Sequence, residues 1–210
     1  MRSPRGRRPA LLDRLPFISE HRMNICIALF RGINVGGKNP LPMNGLTAIL
    51  EKTGANEIKT YIQSGNAVFK IEEGRILRYV QLVTAEIKKQ YGFEPHILVL
   101  GLDEIDQAIA NNPFWKAEID PSTLHLGFLA SVPKRPDLQK LSGLRTGGES
   151  FHLKERLFYL YAPEGVGRSK LYASAEKSLG VPMTVRNWKT VCKIKELAGE
   201  MNAHIGTAYE

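Results

Sequence analysis

"IKTYIQSGNAVFKI", residues 58–71, decides the fold. Two β-rich runs, 58–63 and 67–71, are joined through Ser64-Gly65-Asn66, and turn residues between two such runs signal a β-hairpin. Before the hairpin, 24–30 is a compact apolar run that reads as a buried strand. Residues 44–53 then place Leu46, Ile49 and Leu50 on one helical face, with Gly54 as the stop. After the hairpin, 76–91 reads as a helix with Leu77, Val80, Val83 and Ile87 on its apolar side and Gly92 at its end. Residues 96–100 make another strand. The hairpin therefore sits at the centre of a β-α-β-β-α-β order, the ferredoxin-like split unit.

The order then repeats. Residues 102–122 form a connector containing a short helix closed by Asn112-Pro113-Phe114-Trp115. A strand over 124–130 and a short helix over 136–144 follow. A hairpin of 151–153 with 157–161 turns at Lys154-Glu155-Arg156, ahead of a helix over 169–179 and an extended run over 182–185. The expected fold is α+β: two ferredoxin-like units in tandem (23–101 and 123–186) and a C-terminal helix and tail (187–210), the helix spanning 188–201.

Composition is that of an ordinary globular chain, 43% apolar and 24% charged over 210 residues. No apolar run approaches the roughly 20 residues that span a bilayer, so a membrane partner is not expected. The net charge of +8 is unevenly placed, because residues 1–22 hold six Arg against Asp13 and Glu20. Half the excess lies there, and the mildly basic remainder does not establish nucleic-acid binding by charge. Arg7-Arg8 resembles an export signal, but Asp13 and Arg14 break the apolar stretch that would have to follow. Residues 1–22 are thus expected to be a disordered basic extension, with Met23 as the effective start. Cys26 and Cys192 lack metal-ligand neighbours and read as buried free thiols of a cytoplasmic protein.

"RGINVGGKN", residues 31–39, follows the first strand, and Gly32 to Lys38 spell G-x-x-x-x-G-K. A nucleotide-cradling P-loop needs a Ser or Thr next and a helix starting at the Gly-Lys pair. Here Asn39 follows, and Pro40 and Pro42 delay the helix. The P-loop reading fails, yet Gly36 and Gly37 between Arg31, Asn34 and Lys38 still describe a loop a ligand can approach closely. Two segments have the same flavour. "GVGRSKL" (165–171) brings Arg168, Ser169 and Lys170 to the start of a helix, where N–H groups and the helix dipole favour an anion, though Ser169 is equally an N-cap. "TVRNWKT" (184–190) places Arg186 and Asn187 at the start of the last helix, with Trp188 as a packing anchor.

Together with Ser64, Gly65 and Asn66 of the hairpin, these clusters predict an anionic-ligand site for a phosphate-containing small molecule or a nucleic-acid backbone. The alternatives are an enzyme acting on a phosphorylated substrate, with Ser64 or Ser169 as nucleophile, and a structural or interaction protein whose glycines serve turns. The five histidines have no metal-ligand spacing, Asp103, Glu104 and Asp106 read as the acidic first turn of a helix, and no acid–base pair stands out. No cofactor or metal is expected, and which residues, if any, are catalytic stays open. A base-stacking RNA module would need aromatics where Asn66 and Val68 stand, while alternation sends Phe69 to the other face.

"RGINVGGKN", "TYIQSGNAVF", "NPF", "GVGRSKL" and "TVRNWKTVCK", in this order and spacing, resemble the bacterial family catalogued as domain of unknown function 1697. The resemblance covers about 23–201 and implies an α+β fold of two ferredoxin-like units, with no activity, substrate or catalytic residue to carry over. Val185 and Cys192 depart from the Thr and the aliphatic residue expected there, and residues 1–22 lie outside the pattern.

Overall fold

The computed structural model describes residues 23–116 and 118–206; the basic segment 1–22 and its expected disorder lie outside them. The first unit runs β1 (Met23–Arg31), α1 (Met43–Lys52), β2 (Asn56–Tyr61), β3 (Asn66–Glu72), α2 (Ile76–Tyr91), β4 (His96–Gly101). After α3 (Leu102–Ala110) and a 3₁₀ turn at Pro121–Thr123, the second runs β5 (Leu124–Leu129), α4 (Leu138–Gly143), β6 (Ser150–Lys154), β7 (Leu157–Tyr161), α5 (Lys170–Leu179), β8 (Met183–Asn187). The last element is α6 (Trp188–Gly206). Both sheets are antiparallel and share one topology, β2-β3-β1-β4 and β6-β7-β5-β8. These are two ferredoxin-like units in tandem, as the hairpin-centred order predicts.

Strand alternation sorts each sheet into two faces. Cys26, Ala28 and Phe30 on β1 join Phe69 and Ile71 on β3 under α1 and α2. Leu129, Phe158 and Leu160 face α4 and α5 in the same way. The opposite faces, carrying Ile27, Leu29 and Val68 from one sheet and Leu126, Phe128 and Tyr159 from the other, share a single core with α3 and α6. This shared core joins the two units. Each large apolar side chain fully buried in it contributes about 1.5–3 kcal/mol relative to exposure.

Helix ends follow local chemistry. Gly92 and Gly180 close α2 and α5 in the left-handed conformation. Ser169 caps α5 by accepting the Tyr172 N–H, and Asn187 caps α6 by accepting the Lys189 N–H.

Three expectations need correction. The buried side of α2 is Tyr79, Val83 and Ile87 rather than the face containing Leu77, which is 80% exposed. The phase is set by Tyr79, whose ring meets Phe69 at 5.1 Å; Leu77, two residues earlier, then points away from the sheet. Cys192 is exposed, because Val191, Ile194, Ala198 and Met201 take the buried side of α6. Strand β2 ends at Tyr61, so the hairpin turn is 62–65, two residues broader on its first side than Ser64-Gly65-Asn66 suggests.

Candidate functional site at the junction of the two units

The glycine-rich loop after β1 folds on itself. Gly36 and Gly37 both take positive φ, 58° and 74°, and the Lys38 N–H donates to the Val35 carbonyl at 3.0 Å. Two left-handed residues closed this way make the tight turn that suits a right-twisted hairpin. Asn39, at φ 51°, donates its side-chain N–H to Gly32 O at 2.8 Å, closing the base of the loop. Asn34 anchors it. Its Nδ2 donates to Leu41 O (2.8 Å) and Gln63 O (2.9 Å), while its Oδ1 accepts the Leu41 N–H at 2.7 Å. Helix α1 starts only at Met43, five residues past Lys38. The geometry of a P-loop is therefore missing at the helix as well as at Asn39.

Asn34 ties this hairpin to the β2–β3 turn. There Gly65 has φ 78°, and its carbonyl accepts the Phe30 N–H at 2.8 Å. A Cβ on Gly65 would fall 2.7 Å from Phe30 Cβ and 2.6 Å from Ile33 Cδ1, so only glycine fits. Ile62 in the same turn is at φ 47° and 49% exposed, an outlying backbone for a β-branched residue.

Arg186 closes the junction from the other unit. On β8, alternation puts Met183 and Val185 on the helix-covered face and Arg186 on the face toward the first sheet. The Arg186 Nε–H donates to Asn66 Oδ1 at 2.5 Å. Its Nη2 donates to the carbonyls of Phe30 (2.7 Å), Gly65 (3.1 Å) and Ser64 (3.2 Å), and its Nη1 to Val185 O (2.9 Å). Asn66, fully buried, donates to Tyr61 O and Ser64 Oγ. The guanidinium is thus dissolved in a cage of neutral oxygens, with no carboxylate in it among the described residues. Burial pulls its pKa from 12.5 down to about 10, so it stays charged at neutral pH.

The third cluster is joined by an ion pair. Arg31 Nη1 lies 2.9 Å from Glu176 Oε2, both side chains being partly exposed, which makes the pair worth about 0–1 kcal/mol. Glu176 lies six residues past Lys170 on α5, about 9 Å along the helix from its start. Asn187, besides capping α6, donates to the carbonyls of Ser122 and Leu124. The structure thus places Asn34, Ser64, Gly65, Asn66 and Arg186 in one bonded junction, with Arg31 beside it at the end of β1 and paired to α5. Lys38, Arg168 and Lys170 are exposed and make no ion pair among the described residues.

Sequence reasoning missed Phe30 and Glu176. Nothing in a sequence marks Phe30, which acts through its backbone. Glu176 had a faint signal as the one acidic residue in 169–179. The face that would stack RNA bases carries Asn66 and Val68 at 0% and 1% exposure, covered by Arg186 and the shared core. The Ser64 hydroxyl accepts from Asn66, the Ser169 hydroxyl accepts the Tyr172 N–H, and no acid or base bonds either one among the described residues. No group of three or more metal-ligating side chains occurs among those residues.

Fold and junction define an α+β protein of tandem ferredoxin-like units, joined by a buried arginine. The family model described as protein of unknown function (DUF1697) matches residues 23–159, and the chain belongs to that family. Among solved structures it is similar to the conserved bacterial protein SP0830 from Streptococcus pneumoniae, with a TM-score of 0.57 and 25% identity over 84% of this chain and 99% of that one. A putative glycine cleavage system transcriptional repressor aligns over 78% of this chain and 95% of its own at 8% identity and a TM-score of 0.20, too low to carry an argument. No curated protein matches the chain.

Proposed function

We propose that this protein is a cytoplasmic, non-catalytic binder of a phosphate-bearing ligand, taken at the rim of the inter-unit junction by Lys38, Arg168 and Lys170. The observation that carries this is the division of labour among the signature residues. The hydrogen-bonded ones (half-buried Asn34, buried Asn66 and Arg186) are spent on holding three segments together, while the exposed cations on those segments have no acidic partner among the described residues. The hairpin bearing Lys38 is tied down through Asn34, and α5, which starts at Lys170, is tied to the end of β1 through Arg31 and Glu176. The first N–H groups of α5 add donors beside Arg168 and Lys170. A nucleotide, a phosphorylated metabolite and a nucleic-acid backbone all present this chemistry. The absence of a base at Ser64 and Ser169 among the described residues favours binding over turnover.

Thermal unfolding with tripolyphosphate, ATP and a short single-stranded RNA, each at two salt concentrations, tests it. A ligand at 100 times its Kd adds about 2.7 kcal/mol of stability, so a shift of several degrees is expected. That shift shrinks at high salt and is lost in the Lys38→Glu/Arg168→Glu/Lys170→Glu variant. A natively folded protein that responds to none of the three, or a variant that responds fully, overturns the proposal in favour of a structural or interaction role.

A further inference from the structure

A concavity lies between the units, at the far end of β4 from Ile97, the strand partner of Phe30. It has a volume of about 110 Å³. Its floor is apolar: Leu100 from the first sheet, and Phe128 and Leu157, which are register partners in the second. Its mouth is polar, formed by Glu104 and Gln107 on α3 and by Glu155 and Arg156 at the β6–β7 turn. An engineered apolar cavity of roughly 150 Å³ holds benzene, so this one suits a body of about four to six carbon atoms with its head at the mouth.

The mouth is built and its polar groups are only partly used. Lys154 Nζ donates to Asn111 Oδ1 at 2.6 Å, tying the β6–β7 turn to the end of α3. The Arg156 Nε–H donates to Leu129 O at 3.0 Å, which fixes the guanidinium. Its Nη1 stands 3.8 Å from Glu104 Oε1, beyond hydrogen-bond reach. Glu104 is held separately, its Oε2 accepting the Gly101 N–H at 2.9 Å. The side chains of Gln107 and Glu155 make no hydrogen bond or ion pair among the described residues. Unspent donors and acceptors thus converge on an apolar floor at an inter-unit cleft, the usual make-up of a small-molecule site.

We infer that this cleft binds a small zwitterion with an aliphatic body, the chemistry of an apolar amino acid. The Arg156 fork takes the carboxylate, Glu104 and Glu155 take the ammonium, and the aliphatic side chain lies on Leu100, Phe128 and Leu157. With Lys154 on the same turn, two carboxylates stand against two cations, so the mouth carries no net charge and suits a zwitterion better than a simple anion. The phosphate ligand proposed above belongs to the other rim, so the two sites are tested by different ligands.

Isothermal titration of the full chain with L-leucine tests the inference, with 4-methylpentanoate (no amine) and 3-methylbutylamine (no carboxylate) as controls. L-leucine is expected to bind, and each control to bind at least tenfold more weakly. Arg156→Met weakens leucine binding at least tenfold, and Gln107→Trp, at an exposed position, blocks the mouth while the thermal melt stays native. Absence of leucine, valine and methionine binding at millimolar concentration overturns the inference. So do an amine that binds as tightly as leucine and a folded Gln107→Trp protein with unchanged affinity.

Discussion

Arg186 and Asn66, 120 residues apart in the chain, meet through a hydrogen bond from the guanidinium Nε–H to the amide Oδ1. One residue belongs to the second unit and the other to the first, and no carboxylate among the described residues takes part in the exchange. The positive charge is held by carbonyl dipoles that end β1 and line the β2–β3 turn. Such a contact fixes the angle between two sheets, because a planar fork satisfies several oxygens only in one orientation.

Replacing Arg186 by Met keeps most of the stem but leaves Asn66 Oδ1 and the carbonyls of Phe30, Ser64 and Gly65 without this donor. Gly65 O keeps the Phe30 N–H; with each remaining buried orphan costing about 1–3 kcal/mol and some relaxation, a loss of about 3–5 kcal/mol is expected by urea denaturation. Arg186→Lys recovers little, since an ammonium cannot reproduce the fork. A double-mutant cycle with Asn66→Ala should return a coupling of about 1–3 kcal/mol. Additive single effects would show that the two side chains do not act together.

Gly65→Ala combines a left-handed backbone with a collision against Phe30 Cβ, and a loss of about 2–3 kcal/mol is expected. Gly36→Ala is the control: its φ is also positive, yet no atom lies within 4 Å of the new Cβ, so about 1–2 kcal/mol should be lost. The two melting temperatures decide the matter, and equal shifts would remove the steric argument.

The thiols should differ in reactivity. Burial pushes Cys26 up to about 11, whereas Cys192 is exposed, its pKa raised by partial burial against a smaller opposing pull from Lys195. A disulfide-exchange reagent at pH 8 should modify one thiol in the native protein, and Cys192→Ser should abolish that phase. Cys26 should react only when denaturant opens the sheet. Because its folded pKa lies above the unfolded value, its contribution to stability is complete below pH 9.0 and is lost as pH rises towards 11. Rapid labelling of Cys26 in the native state would contradict its burial.

His125 on β5 is mostly buried, and desolvation lowers its pKa below the usual 6.5, opposed by a backbone bond to Thr123. The folded state therefore binds its proton less readily than the unfolded chain. Its contribution to stability is present above pH 6.5 and is lost as pH falls through the lowered folded pKa. Denaturation midpoints between pH 7.5 and 5 should fall for the wild type and flatten for His125→Gln. Parallel slopes in the two proteins would rule His125 out as the source.

The fold was legible because its signals are local. The Ser64-Gly65-Asn66 turn, the Gly92 stop and the Ser169 and Asn187 caps each act within a few residues, and together they specify the β-α-β-β-α-β order. The phase of α2 was less legible, because Leu77 and Tyr79 are both apolar enough for the core and only packing against Phe69 chooses between them. The roles of the site residues were hidden for another reason. Arg186 reads as a ligand-seeking cation, but its acceptors are mostly main-chain carbonyls, which every residue possesses and no sequence distinguishes. The polar groups of the cleft at Leu100 come from a connector helix and a hairpin turn that only the tertiary fold brings together.

Helix α6 packs against both sheets, yet it follows all eight strands in the chain. During synthesis the first sheet can form early, with α1 and α2 on its outer side. Its inner side, bearing Ile27, Leu29 and Val68, has no complete cover until Trp188 to Met201 have left the ribosome. The same is true of Leu126 and Phe128 in the second sheet. Such long-range closure makes the last step slow and leaves two apolar sheet faces open to chaperones until a single helix arrives.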